Sequence, residues 1–148
     1  MKISVIIPFH KGLHFLADCL DSLSEQTEKD FEVLIISDRV EEDLDSLLAS
    51  YKGKLQIHSM ISDKTAGVAA ARNIGIKQAQ GDYLYFLDSD DYIEENTFSV
   101  LYDTITRKKS SYVYGSIEYT WFNRHVYHET EQSEEEQLQY CGKAKKDL

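Results

Sequence analysis

The stretch 83-YLYFLDSDDY-92 passes directly from apolar and aromatic residues into three acids, Asp88, Asp90 and Asp91. Apolar and aromatic residues before Asp88 are typical of a β-strand, so the acids lie where that strand is predicted to end. Carboxylates held a few ångströms apart repel one another unless something positive lies between them. The cluster therefore indicates a bound cation or ligand as well as a turn.

Three further apolar runs, "ISVII", "FEVLII" and "LQIHSMI", also have strand character, and each of the four runs precedes a helical pattern. One of these helical patterns, "AGVAAARNIGIKQAQ", predicts an Ala-rich helix that packs closely and ends before Gly81 at a glycine stop. The order predicts an α/β fold with a doubly wound, mostly parallel sheet and helices on both faces. We expect the strands to be buried on both sides.

Sheets of this kind bind ligands outside the carboxyl ends of their strands. In this sequence the predicted strand ends carry polar and charged groups: Pro8-Phe9-His10, Ser37-Asp38-Arg39, Ser62-Asp63-Lys64 and Asp88-Ser89-Asp90-Asp91. Because parallel strands end at the same edge of a sheet, we expect these four groups to converge there. Their convergence is stronger evidence for a site than any one motif.

Composition limits the class of protein. The 148 residues fit one domain, and the formal net charge of -10 argues against a nucleic acid as partner. No apolar segment reaches the length of a membrane span. Cys19 and Cys141 show no metal-binding or disulfide pattern, so we expect a reducing, cytoplasmic setting.

The acids permit several interpretations. Asp91 is the best candidate for the N-cap of a helix beginning at "YIEEN", whereas Asp88 and Asp90, spaced by one residue, suit a hard divalent cation that also binds phosphate oxygens. An EF-hand loop would need an oxygen ligand and then a glycine where Tyr92 and Ile93 stand. A phosphatase-type Asp-x-Asp motif would continue with Thr or Val at position 92. We therefore expect a metal or ligand role for Asp88 and Asp90.

Four other residues are candidates for binding a nucleotide. Arg72 follows an apolar helix face near a predicted strand end, where a guanidinium can hold a diphosphate. Lys64 lies in the preceding loop and is a weaker candidate. His10 offers a stacking face for a base, and Asp38 can hydrogen-bond a ribose or a base. The dinucleotide signature GxGxxG is absent.

The order "SVIIPF", "SLSEQT", "DFEVLIISD", "GVAAARNIG" and "GDYLYFLDSDDY" resembles the family 2 glycosyltransferases with the GT-A fold, over about residues 2 to 119. The Asp88-Ser89-Asp90 stretch resembles the family's DXD motif, which implies that Asp90 binds a Mg²⁺ or Mn²⁺ ion bridging the donor diphosphate and that Asp88 lies beside the ribose or the metal. It places Pro8, His10 and Asp38 at the nucleoside and Arg72 near the phosphates.

The chain also departs from the family pattern. The family usually has Tyr and Asn where His10 and Lys11 stand, and an Asp-Asp-Gly-Ser run at 37–40, so the base and the sugar stay open. The family's general base usually lies beyond position 148, and no catalytic residue is identified here. We expect a single, C-terminally truncated GT-A-type domain, with 1–107 as the nucleotide-sugar-binding half and 108–148 as the start of the acceptor half and a polar tail.

The resemblance implies an inverting, metal-dependent glycosyltransferase that moves a sugar from a nucleotide diphosphate donor, UDP-sugar first, to a glycan or lipid-linked acceptor. Synthesis of a polysaccharide or cell-surface glycan in the cytoplasm, at the inner face of the membrane through the full-length protein, is the expected context. A nucleotidyltransferase is one alternative, although its glycine- and arginine-rich loop after the first strand is missing. A non-catalytic nucleotide-sugar-binding module is the other.

Overall fold

The structure is a computed structural model that describes residues 1–37, 42–62, 67–117 and 119. The strands are β1 (Ile3–Phe9), β2 (Phe31–Ser37), β3 (Ile57–Ile61) and β4 (Tyr83–Phe86). The helices are α1 (Leu13–Ser24), α2 (Leu44–Ala49), α3 (Val68–Gln78) and α4 (Thr97–Lys108). Strands and helices alternate along the chain, which confirms the four predicted strand–helix units.

The four strands form one parallel sheet in the order β3-β2-β1-β4. Every residue of β1 and β2 is buried. In β3 and β4 the residues are half-buried or exposed, and Leu84 and Phe86 are exposed. The expectation of burial on both faces is therefore wrong for β3 and β4, because they are the outer strands of the described sheet.

The order of the strands places helices on both faces. The crossovers from β1 to β2 and from β2 to β3 advance across the sheet, and the crossover from β3 returns to the far side of β1. Parallel crossovers are right-handed, so a reversal of direction moves the connecting helix to the opposite face. α1 and α2 contact each other, while α3 packs on β1 and β2. The predicted doubly wound α/β architecture is confirmed.

Small residues let α3 approach the sheet closely, as the sequence predicts. Ala71 and Gly75 are the buried residues of this helix. A Cβ atom at Gly75 would lie 2.5 Å from Ile6 Cγ2 and 3.3 Å from Ile36 Cδ1, and both isoleucines are fully buried. A side chain at position 75 would therefore push α3 away from β1 and β2.

Gly81 has a different role from the predicted glycine stop. α3 ends at Gln78 with an extended Ala79 after it, and the backbone at Gly81 does not take the left-handed conformation of a helix C-cap. A Cβ atom at Gly81 would lie 2.6 Å from the backbone nitrogen of Ser4. Position 81 therefore needs glycine because β1 passes so close.

A buried polar network holds this close approach. Ser4 Oγ donates a hydrogen bond to Glu32 Oε1 (2.6 Å), and the Gln80 N–H donates to the same oxygen (2.8 Å). The Gly81 N–H in turn donates to Ser4 Oγ (2.8 Å). Ser4 and Glu32 are fully buried, so the bonds offset the cost of removing these groups from water.

The chain divides into two compact units, and the second begins at Thr97. In the second unit, Phe98 and Ile105 of α4 are buried. The positive charges of Arg107 and Lys108 in its last turn interact favourably with the negative end of the helix dipole. The residues after Arg107 are rich in Tyr, Val, Ile and Trp, a strand composition that predicts a hairpin or an added sheet edge. Residues 111–117, however, form no strand. Apart from residue 119, the rest of that segment lies outside the described residues, and the division at residue 107 stays a prediction. Within the described ranges, no helix is long and apolar enough to span a membrane.

Substitution of the two packed glycines tests this account of the fold. We expect Gly75→Ala and Gly81→Ala to lower the free energy of unfolding by about 1–3 kcal/mol each, because both create overpacking against the sheet. Gly115→Ala is the control, since a Cβ atom there meets nothing within 4 Å; its effect should stay within about 0.5 kcal/mol. Urea unfolding measures all three, and a stability loss confined to Gly115→Ala would contradict the assignment.

Candidate functional site

A crevice is expected where the strand order reverses, between β1 and β4. These strands run parallel, with Ile6 beside Phe86, and the Leu87 N–H donates to the Ile6 carbonyl (3.1 Å). The chain after β4 therefore leaves the sheet next to the end of β1. The acids from Asp88 onward lie at this switch point, as the sequence predicts for the carboxyl edge of the sheet.

The acids lie in a turn that does not lead directly into a helix. The Asp91 N–H donates to the Asp88 carbonyl (3.1 Å), which closes a turn with Ser89 and Asp90 at its tip. Asp90 and Asp91 are exposed, and Asp88 and Ser89 are half-buried. α4 begins only at Thr97, so the prediction that Asp91 caps a helix is wrong. An irregular segment follows the turn, and a helix N-terminus does not explain the acids.

Arg72 pairs with the first acid of the turn. Its Nη2 donates to Asp88 Oδ1 (2.7 Å), and the side chains are 36% and 49% exposed. The guanidinium carbon lies 6.0 Å from the centre of the Phe86 ring. Arg72 Nε is buried and has no hydrogen-bond partner among the described residues. The guanidinium thus keeps donor capacity that Asp88 does not use.

The remaining acids are not neutralised by this pair. Although Asp91 is exposed as a whole residue, partial desolvation of its carboxyl group raises its pKa above the ordinary value, and the negative charges of Asp90 and Asp88 raise it further. Added negative charge at the turn is therefore unfavourable. A bound cation would reverse that effect.

Cys19 on α1 lies beneath the turn, a position that the sequence analysis did not anticipate. Its Sγ is 3.9 Å from the Asp88 carbonyl oxygen, and the side chain is fully buried. Burial raises the pKa of the thiol, and the charges of Asp91 and Asp90 raise it further, so the thiol stays protonated. The sequence signal was weak, because a cysteine between Leu16 and Leu20 also fits an apolar helix face.

The other predicted binding residues differ in location and exposure. Pro8 is buried inside β1, beside Ile36 of β2, and His10 is exposed one residue after β1 ends. The structure therefore brings Arg72 to Asp88, places Ser89 and Asp90 on the same turn, and places Pro8 and His10 at the end of the neighbouring strand. Asp38 and Lys64 lie outside the described residues, and their roles stay predictions.

The carboxylates fit a metal ion only if a ligand completes its coordination. Among the residues that the structure describes, no cluster of three or more His, Cys, Asp or Glu side chains could hold a metal ion. Asp88 gives one oxygen to Arg72, and Asp90 is exposed at the tip of the turn. Mg²⁺ commonly binds one or two carboxylates together with substrate phosphates and water. Asp90 and Asp88 match that donor set.

Comparison with known proteins identifies the family. The family model described as Glycosyl transferase family 2 matches residues 4–147. A poly(ribitol-phosphate) β-glucosyltransferase of Bacillus spizizenii is 33% identical over 122 residues, which are 79% of this chain and 19% of the relative. An uncharacterised glycosyltransferase of Rickettsia conorii is 41% identical over 109 residues, 66% of this chain and 18% of the relative. The chain spans less than a fifth of the length of these relatives.

Solved structures share the fold. The crystal structure of S. aureus TarS 1-349 in complex with UDP-GlcNAc has a TM-score of 0.70 and 30% identity, covering 74% of this chain and 32% of that one. The mannosyltransferase PcManGT from Pyrobaculum calidifontis, in complex with GDP-Man and Mn²⁺, has a TM-score of 0.63 at 20% identity, over 86% of this chain and 37% of that one. The likeness to TarS confirms the GT-A fold.

The charge on Asp91 should cost stability when no metal is present. Because the folded state raises the pKa of Asp91, ionisation of this residue lowers the free energy of unfolding as pH rises above the ordinary aspartate value of about 3.9. Asp91→Asn should therefore unfold at a higher urea concentration than the wild type in EDTA at pH 7. The difference should shrink as pH falls towards 3.5. A wild type that is more stable than the variant at pH 7 would contradict this electrostatic account.

Proposed function

Because this chain belongs to glycosyl transferase family 2, we propose that it supplies the donor-binding site of an enzyme that transfers a sugar from a nucleotide diphosphate to an acceptor hydroxyl. The observation that carries the proposal is the pairing of Arg72 with Asp88 beside Asp90 at the switch point of the sheet. Cationic and anionic groups lie side by side there, as a diphosphate with a divalent cation requires.

Arg72 is proposed to hold the donor diphosphate. Its Nη2 bonds Asp88, which orients the guanidinium, while the N–H groups that Asp88 does not use can donate to phosphate oxygens. Pro8, His10, Asp38 and Ser89 are proposed contacts of the nucleoside and the sugar, with Lys64, which follows β3 in the sequence, as a further contact. Of these residues, His10 is exposed at the end of β1 and Ser89 is half-buried in the turn.

Asp90, assisted by Asp88, is proposed to hold Mg²⁺ or Mn²⁺. When bound, such an ion would neutralise charge that develops on the departing diphosphate. The exposed carboxylate of Asp90 at the tip of the turn is open to an ion that also contacts phosphate oxygens. Asp88 would divide its two oxygens between the ion and Arg72, because only Oδ1 is within hydrogen-bonding distance of the guanidinium.

The proposed reaction inverts the configuration at the anomeric carbon. The acceptor oxygen forms a bond to that carbon on the face opposite the diphosphate, the bond to the diphosphate oxygen breaks, and the hydroxyl proton passes to a general base. This chain would contribute by holding the diphosphate in line for the displacement. The described residues offer no identified base, and the acids Glu118 and Glu129, which would be tested first, lie outside the described residues.

The donor and acceptor are proposed by class. UDP-sugar is favoured because TarS, a structural neighbour at 30% identity, was solved with UDP-GlcNAc. A cell-surface glycan or lipid-linked acceptor is favoured because relatives are named poly(ribitol-phosphate) transferases. The cytoplasmic location stays a prediction. The relatives named as transferases favour catalysis over the sensing and nucleotidyltransferase alternatives. Detection of donor hydrolysis would distinguish catalysis from sensing.

Asp90→Asn separates function from stability at the turn. The change removes one of three crowded charges, so the metal-free protein should be as stable as the wild type or slightly more stable. The affinity for UDP in Mn²⁺ should fall at least about tenfold, or ~1.4 kcal/mol. Thermal melts in EDTA and calorimetric titrations in Mn²⁺ measure the two effects.

Asp82→Asn is the matched control, because it makes the same change of charge just before β4, at the opposite edge of the sheet from the turn. We expect it to leave UDP affinity unchanged. If Asp90→Asn instead lowers the melting temperature and binds UDP as the wild type does, Asp90 has a structural role and the proposed metal site is wrong.

A further inference from the structure

The irregular segment between the acidic turn and α4 is held by α1 and the residues just after it. No helix or strand forms between Phe86 and Thr97. The Ile93 N–H donates to Ser22 Oγ (3.3 Å), and Gln26 Nε2 donates to the Glu94 carbonyl (2.7 Å). The Thr27 N–H also donates to the Glu95 carbonyl (2.8 Å). Three successive residues of the segment are therefore bonded to one short stretch of chain.

Ser22 and Gln26 are unusual because they are polar and fully buried beside the leucines of α1. Each is also bonded to the backbone of α1: Ser22 Oγ donates to the Cys19 carbonyl (2.7 Å), and Gln26 Nε2 lies 3.1 Å from the Ser22 carbonyl. A buried amide or hydroxyl destabilises a core unless its hydrogen bonds are made. Both side chains are thus committed to joining α1 to the segment.

The two ends of the segment are fixed by different elements, one by β1 and the other by α1 and the residues just after it. Before the turn, the Leu87 N–H is bonded to β1. After the turn, Ser22 and Gln26 bind the backbone at Ile93 and Glu94. The turn with Asp90 at its tip spans the interval between these anchors. The place where Asp90 presents its carboxylate therefore depends on α1 as well as on β4.

We propose that Gln26, supported by Ser22, is a positioning residue that sets the acidic turn for the metal and the diphosphate. The inference rests on the proposed function of the turn, because it assigns Gln26 an effect on ligand affinity through Asp90. Gln26 itself does not touch the ligand. Its amide holds the backbone just after the turn, at Glu94. The carboxylate of Asp90 therefore stays in place, although repulsion among the acids would otherwise open the turn.

Tyr51, which follows α2 in the chain, provides a control because it bonds the same helix, α1. Its hydroxyl lies 3.0 Å from the Ala17 carbonyl oxygen and 2.9 Å from Asp21 Oδ1, so it bonds α1 without reaching the segment. Tyr51→Phe removes a hydrogen bond to α1, and Gln26→Met removes the bonds to Ser22 and Glu94 with little change of volume. Both variants should lose stability. Only Gln26→Met should disturb the turn.

The experiment combines amide hydrogen exchange over residues 88–95 with calorimetric titration of UDP in Mn²⁺. For Gln26→Met, we expect exchange in this segment to accelerate at least about tenfold through local opening, and UDP affinity to fall about tenfold through misplacement of Asp90. For Tyr51→Phe, both should stay within about twofold of the wild type. Ser22→Ala, which removes the acceptor for the Ile93 N–H, is a second variant if Gln26→Met fails to fold.

The outcomes separate the inference from the proposed function. Unchanged exchange over residues 88–95 in Gln26→Met would overturn the anchoring, whatever the titration shows. Faster exchange with full UDP affinity would overturn the positioning role. If the wild type binds no UDP while exchange in Gln26→Met accelerates, the proposed function fails and the anchoring of the turn by α1 is supported.

Discussion

The structure depends on the position of β1 between two parallel neighbours, β2 and β4. Because β4 arrives on the opposite side of β1 from β2, the direction of winding reverses there. The reversal opens a crevice at the carboxyl ends of β1 and β4. It also moves α3 across the other face, where Gly75 must pass close to Ile6, and it brings Gly81 against the backbone of Ser4. The site and the close packing at Gly75 and Gly81 therefore have one cause.

Negative charge at the crevice exceeds positive charge. Arg72 pairs with Asp88, but the pKa of Asp91 is raised by burial and by Asp90 and Asp88, so the remaining negative charge is not compensated. A divalent cation at Asp90 would relieve this repulsion. A diphosphate would bind to that cation and accept hydrogen bonds from the N–H groups of Arg72 that Asp88 does not use. The protein would thereby exchange stability of the unliganded turn for affinity, as ligand sites commonly do.

Local patterns predicted the strands and helices because their apolar periodicity reflects which residues the sheet buries. They also predicted the edge at which the acids lie, since parallel strands end together. They did not predict the pairing of Arg72 with Asp88, which depends on where α3 begins relative to β4. The error about Asp91 has a similar cause. Its neighbours resemble the start of a helix, but the bonds from Ser22 and Gln26, more than 65 residues away along the chain, hold the backbone in an irregular path.

The central claim is that the crevice binds a nucleoside diphosphate through Asp90 and a divalent cation. Calorimetric titration of UDP into the wild-type chain, in Mn²⁺ and in EDTA, tests this claim most directly. We predict tighter binding in Mn²⁺ by at least about tenfold, because the cation joins the diphosphate to a turn that otherwise repels it. Equal affinity in the two conditions would contradict the account.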